Sequence, residues 1–295
     1  MKYSGTILSL VILVSLLTKA HGQLRQYHAE LANSTWQVAQ NKRLSCNLAH
    51  PIPGYGEARF SSTANKKINM TFTLDMLNRP QNYSAAEVLS VPPPHRAGQV
   101  SRKMSQMQLL SHFDGELTDK AAWLLITELE KGMMPTFYYD DWLNNSDQVA
   151  VGLNSANFHG AYQEFLNCRD QLLNYTFDDI AMSVLTYQSN TAKLTAASKK
   201  RLHMIAEYLK QDNELELVLI QGYSDSYGGR WHNEQLSKER AKMVKDFFLQ
   251  NGLDASRISA QGHGEKRHVA SNQNLIGRSK NRRVVVQMER TQTLD

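Results

Sequence analysis

One stretch, residues 214–248, constrains the fold of this chain more than any other. It reads ELELVLIQGYSDSYGGRWHNEQLSKERAKMVKDFF. Its alternating apolar residues predict a strand that ends at Gly222, and a polar, glycine-containing loop follows. Apolar residues at helical spacing then predict a helix that ends at Asn251-Gly252. The predicted buried stripe of this helix consists of Leu236, Met243, Val244, Phe247 and Phe248. The stretch is therefore a strand–loop–helix unit.

Four polar residues lie where the predicted loop and helix meet. Asp225 is in the loop, and the spacing of Asn233, Ser237 and Arg240 places these three on one side of the helix. A carboxylate and a guanidinium beside an amide suit a zwitterionic ligand, with Asp225 taking an ammonium group and Arg240 a carboxylate. The alternative is that Asp225 and Arg240 pair with each other and fix the loop to the helix. Spacing does not separate these two interpretations.

Several motifs, in a fixed order over residues 175–290, resemble the OmpA-like peptidoglycan-binding domain family. They are Gly222-Tyr-Ser-Asp225, Gly228, Asn233–Ser237, Arg240-Ala241, Val244, Gly262-His-Gly264, Gly277-Arg278 and Asn281–Val284. The resemblance implies a non-catalytic βαβαββ module that binds the diaminopimelate of uncrosslinked peptidoglycan. The implied ligand-binding residues are Asp225, Arg240, Asn233, Tyr223, Ser224, Arg282 and Arg283. Tyr223 stands where His is commoner in the family, and we expect that difference to be harmless.

The remaining elements of this module follow from local patterns. The first strand is predicted over 178–188, and a helix from Ala192 or Thr195 to Gln211. A short strand is predicted over 257–261 and the last strand over 283–289. The crossover connections predict an α/β sandwich with its helices on one face. The loops 188–194, 222–233 and 262–280 should then meet at one edge and form the groove. Because adjacent strand residues face opposite ways, only one of Arg282 and Arg283 should line it.

The start of the chain predicts export to the periplasm. Residues 1–22 have a basic residue, an apolar run over 7–17 and the small-x-small triplet Ala20-His21-Gly22, which is the pattern of a secretory signal. A retained signal anchor is the alternative, although the apolar run is short for a membrane span. The net charge of +5 falls to about +3 without Lys2 and Lys19, and no basic patch predicts a nucleic-acid partner.

The chain has two cysteines, Cys46 and Cys168. In an exported protein they should form one disulfide, and two buried thiols are the alternative. A bridge would close a loop of more than 100 residues, which is worth about 4–5 kcal/mol in the chain-entropy model. It would also mark the N-terminal region, residues 23–174, as one domain, followed by the OmpA-like domain over 175–295.

The N-terminal region is predicted to be a mainly antiparallel β-domain with a helix packed on it. Residues 67–74 alternate well, and residues 119–131 form a helix capped by Thr118 and ended by Gly132. Residues 51–56 and 92–95 are predicted turns or loops. Weaker strand candidates are 36–38, 58–61, 88–91, 100–104, 106–110, 137–139 and 149–153.

The N-terminal motifs, followed by an OmpA-like C-terminus, resemble the MotY family across the whole chain. They are Trp36, Cys46–His50, Ile52–Gly56 and Ala58–Phe60. The resemblance implies a periplasmic T-ring protein of the sodium-driven polar flagellar motor. Its N-terminal domain would associate with the flagellar basal body and a MotX-like partner. Its C-terminal domain would fix the ring to peptidoglycan so that the stator complex assembles around the rotor.

Three other functions are alternatives to this one. A general envelope tether would share the wall site but lack a motor partner, and a degenerate OmpA-like domain would serve oligomerisation only. Catalysis is not expected, because Gly222–Asp225 lacks the second glycine of a nucleophile elbow and the histidines lack the H-E-x-x-H arrangement. The sequence therefore predicts no enzyme, no cofactor and no metal site.

Overall fold

The computed structural model of the chain describes residues 23–96, 98–144, 147–188, 191, 193–212 and 215–290. The predicted signal, residues 1–22, and Ala192 lie outside these ranges. None of the helices described is long and apolar enough to cross a membrane.

The N-terminal region consists of two five-stranded sheets and two helices. The strands are β1 (Leu24–His28), β2 (Gln37–Asn41), β3 (Ser45–Ile52), β4 (Gly56–Thr63), β5 (Thr71–Met76), β6 (Ser84–Val91), β7 (Arg102–Leu109), β8 (Gly115–Thr118), β9 (Met134–Asp140) and β10 (Gln148–Gly152). The helices are α1 (Asp119–Glu130) and α2 (Phe158–Arg169). One sheet has the strand order β1-β10-β9-β6-β7 and the other β2-β3-β4-β5-β8. Only the β1–β10 pair is parallel, so the predicted mainly antiparallel β-domain with a helix is confirmed.

The two sheets and both helices share one hydrophobic core. The Phe60, Phe72 and Phe137 rings lie in sequence through it, with neighbouring centroids 4.9 and 5.3 Å apart. The predicted disulfide is confirmed, and it joins Cys46 of β3 to Cys168 of α2. The bond thus fixes α2, which the sequence analysis did not predict, to the second sheet.

Several predicted boundaries in this region are wrong. The strand predicted over 67–74 starts only at Thr71, because Asn69 closes the preceding turn by accepting a hydrogen bond from the Thr63 N–H and donating one to its carbonyl. Residues 100–104 and 106–110 belong to one strand, β7. Residues 51–52 end β3, so only 53–55 turn the β3–β4 hairpin. The helix predicted over 119–131 is confirmed as α1.

The C-terminal domain is a four-stranded sheet with its long helices packed on it. Its elements are α3 (Phe177–Ile180), β11 (Met182–Thr186), α4 (Ala196–Gln211), β12 (Leu215–Gly222), α5 (Arg230–Gln250), β13 (Ile258–Gly262), α6 (Leu275–Asn281) and β14 (Arg283–Arg290). The strand order is β11-β14-β12-β13, in which only β12 and β13 run parallel. Buried apolar residues of the sheet, α4 and α5 form one cluster. The predicted βαβαββ sandwich is confirmed.

Two details of this domain differ from the prediction. The first strand does not begin at 178, because Thr176 and Asp179 form a capping box that makes Phe177–Ile180 a helical turn. The buried side of α5 is also more polar than predicted. Asn233, Ser237 and Arg240 are buried there, whereas Met243 is exposed.

The two parts of the chain touch near the linker between them. At the end of the N-terminal region, the Leu173 N–H donates to the Arg43 carbonyl, and the Leu173 carbonyl accepts from the Asn65 N–H. Ion pairs join Arg43 to Glu207 and Lys66 to Asp179. The two ion pairs involve α4 and α3.

Candidate functional site

The candidate site is built at the carboxyl end of β12, where three loops meet. A Cβ atom on Gly222 would clash with the backbone oxygen of Ser237, so only glycine allows α5 to pass this close to the strand. The Ser224 N–H donates to the Gly264 carbonyl, and the Ser226 N–H to the Asn272 side chain. The loop after β12 is thereby joined to the loop after β13, as the sequence predicted.

Asp225 forms a buried ion pair, but its partner is not Arg240. Its Oδ2 lies 2.7 Å from Nη1 of Arg282, and each side chain is about 10% exposed. Its Oδ1 accepts a hydrogen bond of 3.1 Å from the Tyr227 N–H. The alternative in which Asp225 and Arg240 simply pair with each other is therefore not what the structure contains. Arg282 is the cation that holds the carboxylate.

Arg240 lies beside this pair and is poorly satisfied. Its side chain is almost completely buried at 1% exposure. Its Nη1 is 3.5 Å from the Tyr223 carbonyl and its Nη2 is 3.4 Å from the Thr191 carbonyl. Both distances exceed the usual range of about 2.7–3.2 Å. Nε has no hydrogen-bond partner among the residues described.

The surroundings of Arg240 are aromatic and charged. The guanidinium lies 4.6 Å from the ring centroid of Tyr187, a contact that sequence analysis did not foresee. Burial lowers the pKa of Arg240, the Tyr187 ring and the Asp225 carboxylate raise it, and the Arg282 charge lowers it. Arg240 therefore lies within electrostatic reach of both members of the ion pair. It still bears a full charge at neutral pH.

Asn233 and Ser237 hold the loops in place, on the same side of α5 as Arg240. Asn233 donates to the Tyr227 carbonyl at 3.3 Å and approaches Glu265 at 3.5 Å. The Ser237 hydroxyl accepts from the Gly264 N–H at 2.8 Å. Glu265 was not predicted as part of the site, although it directly follows the Gly262-His-Gly264 motif.

Tyr223 and Arg283 form a second buried layer. The Arg283 guanidinium lies 4.0 Å from the Tyr223 ring centroid. The imidazole of His263 stacks on the same ring at 5.1 Å. Burial lowers the pKa of Arg283, and burial together with Arg267 and Lys266 lowers that of His263. His263 is therefore neutral at physiological pH.

That only one of Arg282 and Arg283 lines the groove stays a prediction. Both are buried. Alternation applies only within a strand, and Arg282 is the residue at the carboxyl end of α6, one position before β14 begins. The change from helix to strand between these two residues directs both guanidinium groups into the domain.

Four buried side-chain atoms here have no hydrogen-bond partner among the residues described. They are Ser224 Oγ, Arg240 Nε, His263 Nε2 and Arg282 Nε. Buried polar atoms are nearly always paired, and unpaired ones commonly face a water, an ion or a ligand. Their concentration at the end of β12 offers donors to an anionic group. Asp225 supplies the complementary negative charge.

Outside this site, we considered a metal centre and the cavities of the described residues. No cluster of His, Cys, Asp and Glu side chains that could hold a metal ion occurs among the residues described. A cavity of about 580 Å³ lies on the outer face of the first N-terminal sheet, beside the Pro92–Arg96 loop. It is lined mostly by apolar groups and contains none of the predicted site residues.

Fold and site together define a two-domain protein that joins a β-rich module to an OmpA-like α/β domain. Residues 186–282 match the OmpA family, and residues 27–174 match the MotY N-terminal domain. The chain is 39% identical over 289 residues to the sodium-type flagellar protein MotY of Vibrio parahaemolyticus, covering 98% of this chain and 97% of that protein. The chain belongs to the MotY family.

Two further matches each cover about a third of this chain. The probable lipoprotein YiaD of Escherichia coli is 38% identical over 102 residues, which are 35% of this chain and 46% of that protein. The peptidoglycan-associated lipoprotein of Burkholderia pseudomallei, a solved structure, is 23% identical with a TM-score of 0.34. That match covers 36% of this chain and 89% of that one.

Proposed function

We propose that this chain is a non-enzymatic, periplasmic component of a sodium-driven flagellar motor. In this proposal the N-terminal region joins the T ring through the basal body and a MotX-like partner. The C-terminal domain fixes the ring, and with it the stator complex, to peptidoglycan. Membership of the MotY family over nearly the whole chain supports the motor role. The OmpA-like domain and its charged site support attachment to the wall.

The ligand in this proposal is the free end of diaminopimelate in an uncrosslinked stem peptide. That end carries an ammonium group and a carboxylate. The ammonium group would lie against the Asp225 carboxylate, which has oxygen lone pairs beyond those that accept from Arg282 and Tyr227. The ligand carboxylate would bind the Arg240 guanidinium. Asn233, Tyr223, Ser224, Arg282 and Arg283 would shape and charge the site around these two contacts.

The observation that carries this proposal is the guanidinium of Arg240, which is poorly satisfied by the residues that the structure describes. A buried charge without good partners costs free energy, and a fold that needed only packing would place an apolar side chain there. Its long contacts to the Tyr223 and Thr191 carbonyls are weak. A ligand carboxylate could accept from Nη2 in place of the Thr191 carbonyl and also accept from Nε. It would then form a charge-assisted bidentate pair with Arg240.

The role of such a site is mechanical. A component fixed to the wall can resist the torque that the stator exerts on the periplasmic part of the motor. A partly exposed ion pair contributes only about 0–1 kcal/mol, and more when it is desolvated in a groove. Several copies held in one ring would bind the wall with avidity, because each later contact forms at high effective concentration.

Co-sedimentation with purified sacculi tests the site. Asp225→Asn and Arg240→Met should each reduce the fraction of protein that sediments. Lys242→Met is the matched control, because it removes the same charge from an exposed position of α5. Unchanged sedimentation of both site variants would place wall binding elsewhere. Release of soluble muropeptides by the purified protein would overturn the non-enzymatic assignment.

A deletion strain tests the motor role separately. Loss of swimming with intact filaments is expected if the chain serves the motor. A leaky or blebbing envelope in a strain that still swims would instead indicate a general tether between peptidoglycan and another envelope protein.

A further inference from the structure

Two large apolar side chains are exposed near the Asp225 site. Tyr227 is 78% exposed, and Leu275, at the start of α6, is 71% exposed. Single exposed apolar residues need no explanation, but an exposed group beside a binding site commonly belongs to it. Because these side chains are mostly exposed, packing in the core does not explain why apolar residues occupy these positions.

The backbone of Tyr227 is held by the site residues themselves. Its N–H donates to Asp225 Oδ1 at 3.1 Å, and its carbonyl accepts from Asn233 Nδ2 at 3.3 Å. The neighbouring Ser226 N–H donates to Asn272 Oδ1 at 3.2 Å, which joins this loop to the segment before α6. The ring is thus held at a set position next to the carboxylate while its surface stays in solvent.

The ring of Tyr227 also contacts α6. The guanidinium of Arg278 lies 5.7 Å from the ring centroid, and its Nη1 donates to the Asn272 carbonyl at 2.9 Å. Leu275 precedes Arg278 by three residues on the same helix, so the two side chains lie on one side of it. An aromatic ring, a cation and an aliphatic side chain therefore lie together at the border of the site. We name Tyr227, Leu275 and Arg278 the rim.

The rim has the chemistry of a sugar-binding surface. The C–H groups on the flat side of a pyranose ring carry slight positive charge and suit the negative face of an aromatic ring. Sugar hydroxyls can accept hydrogen bonds from a guanidinium, which has five N–H donors. Aliphatic side chains beside them can cover the methyl of an N-acetyl group. A stem peptide, which is the other portion of the wall polymer, has no flat ring to offer.

We propose that the rim binds a sugar ring of the glycan strand whose stem peptide is held by Asp225 and Arg240. The inference rests on the proposed wall-binding function and extends the same site outward. The rim is continuous with the Asp225 site, because the backbone of Tyr227 forms hydrogen bonds with the side chains of Asp225 and Asn233. This continuity supports the inference. The domain then recognises a sugar as well as the zwitterionic end of the peptide.

Two fragments of known composition test the proposal by titration against the full chain. One is a disaccharide tripeptide with a free diaminopimelate end, and the other is the same tripeptide without sugars. Tyr227→Ala should weaken binding of the disaccharide fragment by roughly 5–10-fold, the size of an aromatic stacking contact. Binding of the bare tripeptide should change by less than about twofold, and Tyr227→Trp should retain binding of both.

Trp231→Ala is the matched control. Trp231 is 74% exposed, similar to Tyr227. It precedes Arg240 by nine residues on α5, which is two and a half turns at about 3.6 residues per turn, so the two lie on opposite sides of the helix. Its removal should leave the affinity for both fragments unchanged.

The outcomes separate the two proposals. Equal weakening toward both fragments in Tyr227→Ala would show that the ring acts on the peptide, and no weakening would show that it does not act at all; either overturns the sugar assignment. If Asp225→Asn binds the bare tripeptide as well as the parent protein does, the peptide does not bind at Asp225, and the rim proposal, which extends that site, fails with it.

Discussion

Replacing Arg240 by methionine tests whether its guanidinium is kept for the fold or for a ligand. The side chain is 1% exposed, its Nε is unpaired, and its contacts to two carbonyls are 3.4 and 3.5 Å long. Methionine keeps an unbranched chain in the same space and removes the buried charge. If the guanidinium stabilises the domain, its removal should lower the free energy of unfolding. If it is kept for a ligand, its removal should not.

The structure sets the expected size of the effect. Replacing poorly paired buried charge by an apolar side chain of similar volume is neutral or stabilises by about 1–4 kcal/mol. Loss of the cation–π contact with Tyr187 costs about 0.5–2 kcal/mol. We therefore expect Arg240→Met to stabilise the C-terminal domain by about 0–2 kcal/mol while wall binding is lost. Arg282→Met, which leaves the Asp225 carboxylate buried without its cation, should destabilise it by about 3–5 kcal/mol.

Hydrogen exchange of amides in β12 and α5 measures this free energy in the C-terminal domain without interference from the N-terminal region. Exchange in the Arg240→Met protein should be equal to or slower than in the parent, and in Arg282→Met clearly faster. Destabilisation by Arg240→Met of more than about 2 kcal/mol would show that the guanidinium holds the fold and would refute the reasoning.

Three more predictions concern stability elsewhere. His50 is fully buried, and its Nε2 has no hydrogen-bond partner among the residues described. Burial lowers the pKa of His50 by more than its hydrogen bond with the Thr35 carbonyl raises it. The unfolded state then binds the extra proton, so the N-terminal region should lose up to about 1.4 kcal/mol per pH unit as pH falls below about 6.5. His50→Gln should flatten this slope in urea unfolding followed by tryptophan fluorescence, and an unchanged slope would count against it. Replacing Cys46 and Cys168 by serine should cost about 4–5 kcal/mol and expose the N-terminal region to proteolysis first; identical digestion would contradict this. Gly222→Ala should loosen α5 and abolish sacculus binding, whereas Gly229→Ala, which has open space around it, should do neither.

Local patterns were sufficient where neighbouring residues decide the structure. The strand and helix of residues 214–248, the cap of α4 at Thr195 and the helix α1 are all present. The polar buried side of α5 was not predicted, because periodicity assumes that a buried stripe is apolar. Here two glycines, Gly222 and Gly262, let the backbone of α5 approach the sheet closely.

Contacts between distant residues could not be derived from spacing. Asp225 and Arg282 are 57 positions apart, and their pairing depends on α6, a helix that the sequence analysis did not predict. The division of the N-terminal strands into two sheets likewise depends on long-range pairing, such as that of β1 with β10. Spacing and side-chain chemistry supplied Asp225, Asn233 and Arg240, and the resemblance to a known family added Tyr223, Ser224, Arg282 and Arg283. The ligand roles of all these residues remain predictions.

The most direct test observes the Arg240 Nε–H itself. Nuclear magnetic resonance of arginine side chains should show a shifted and more slowly exchanging Nε–H signal when the full chain binds a tripeptide with a free diaminopimelate end. The same tripeptide with that amine acetylated, which removes the charge that Asp225 recognises, should leave the signal unchanged at equal concentration. A signal that is insensitive to the free-ended peptide, under conditions where the protein binds it, would contradict the assignment of Arg240 as the residue that holds the wall.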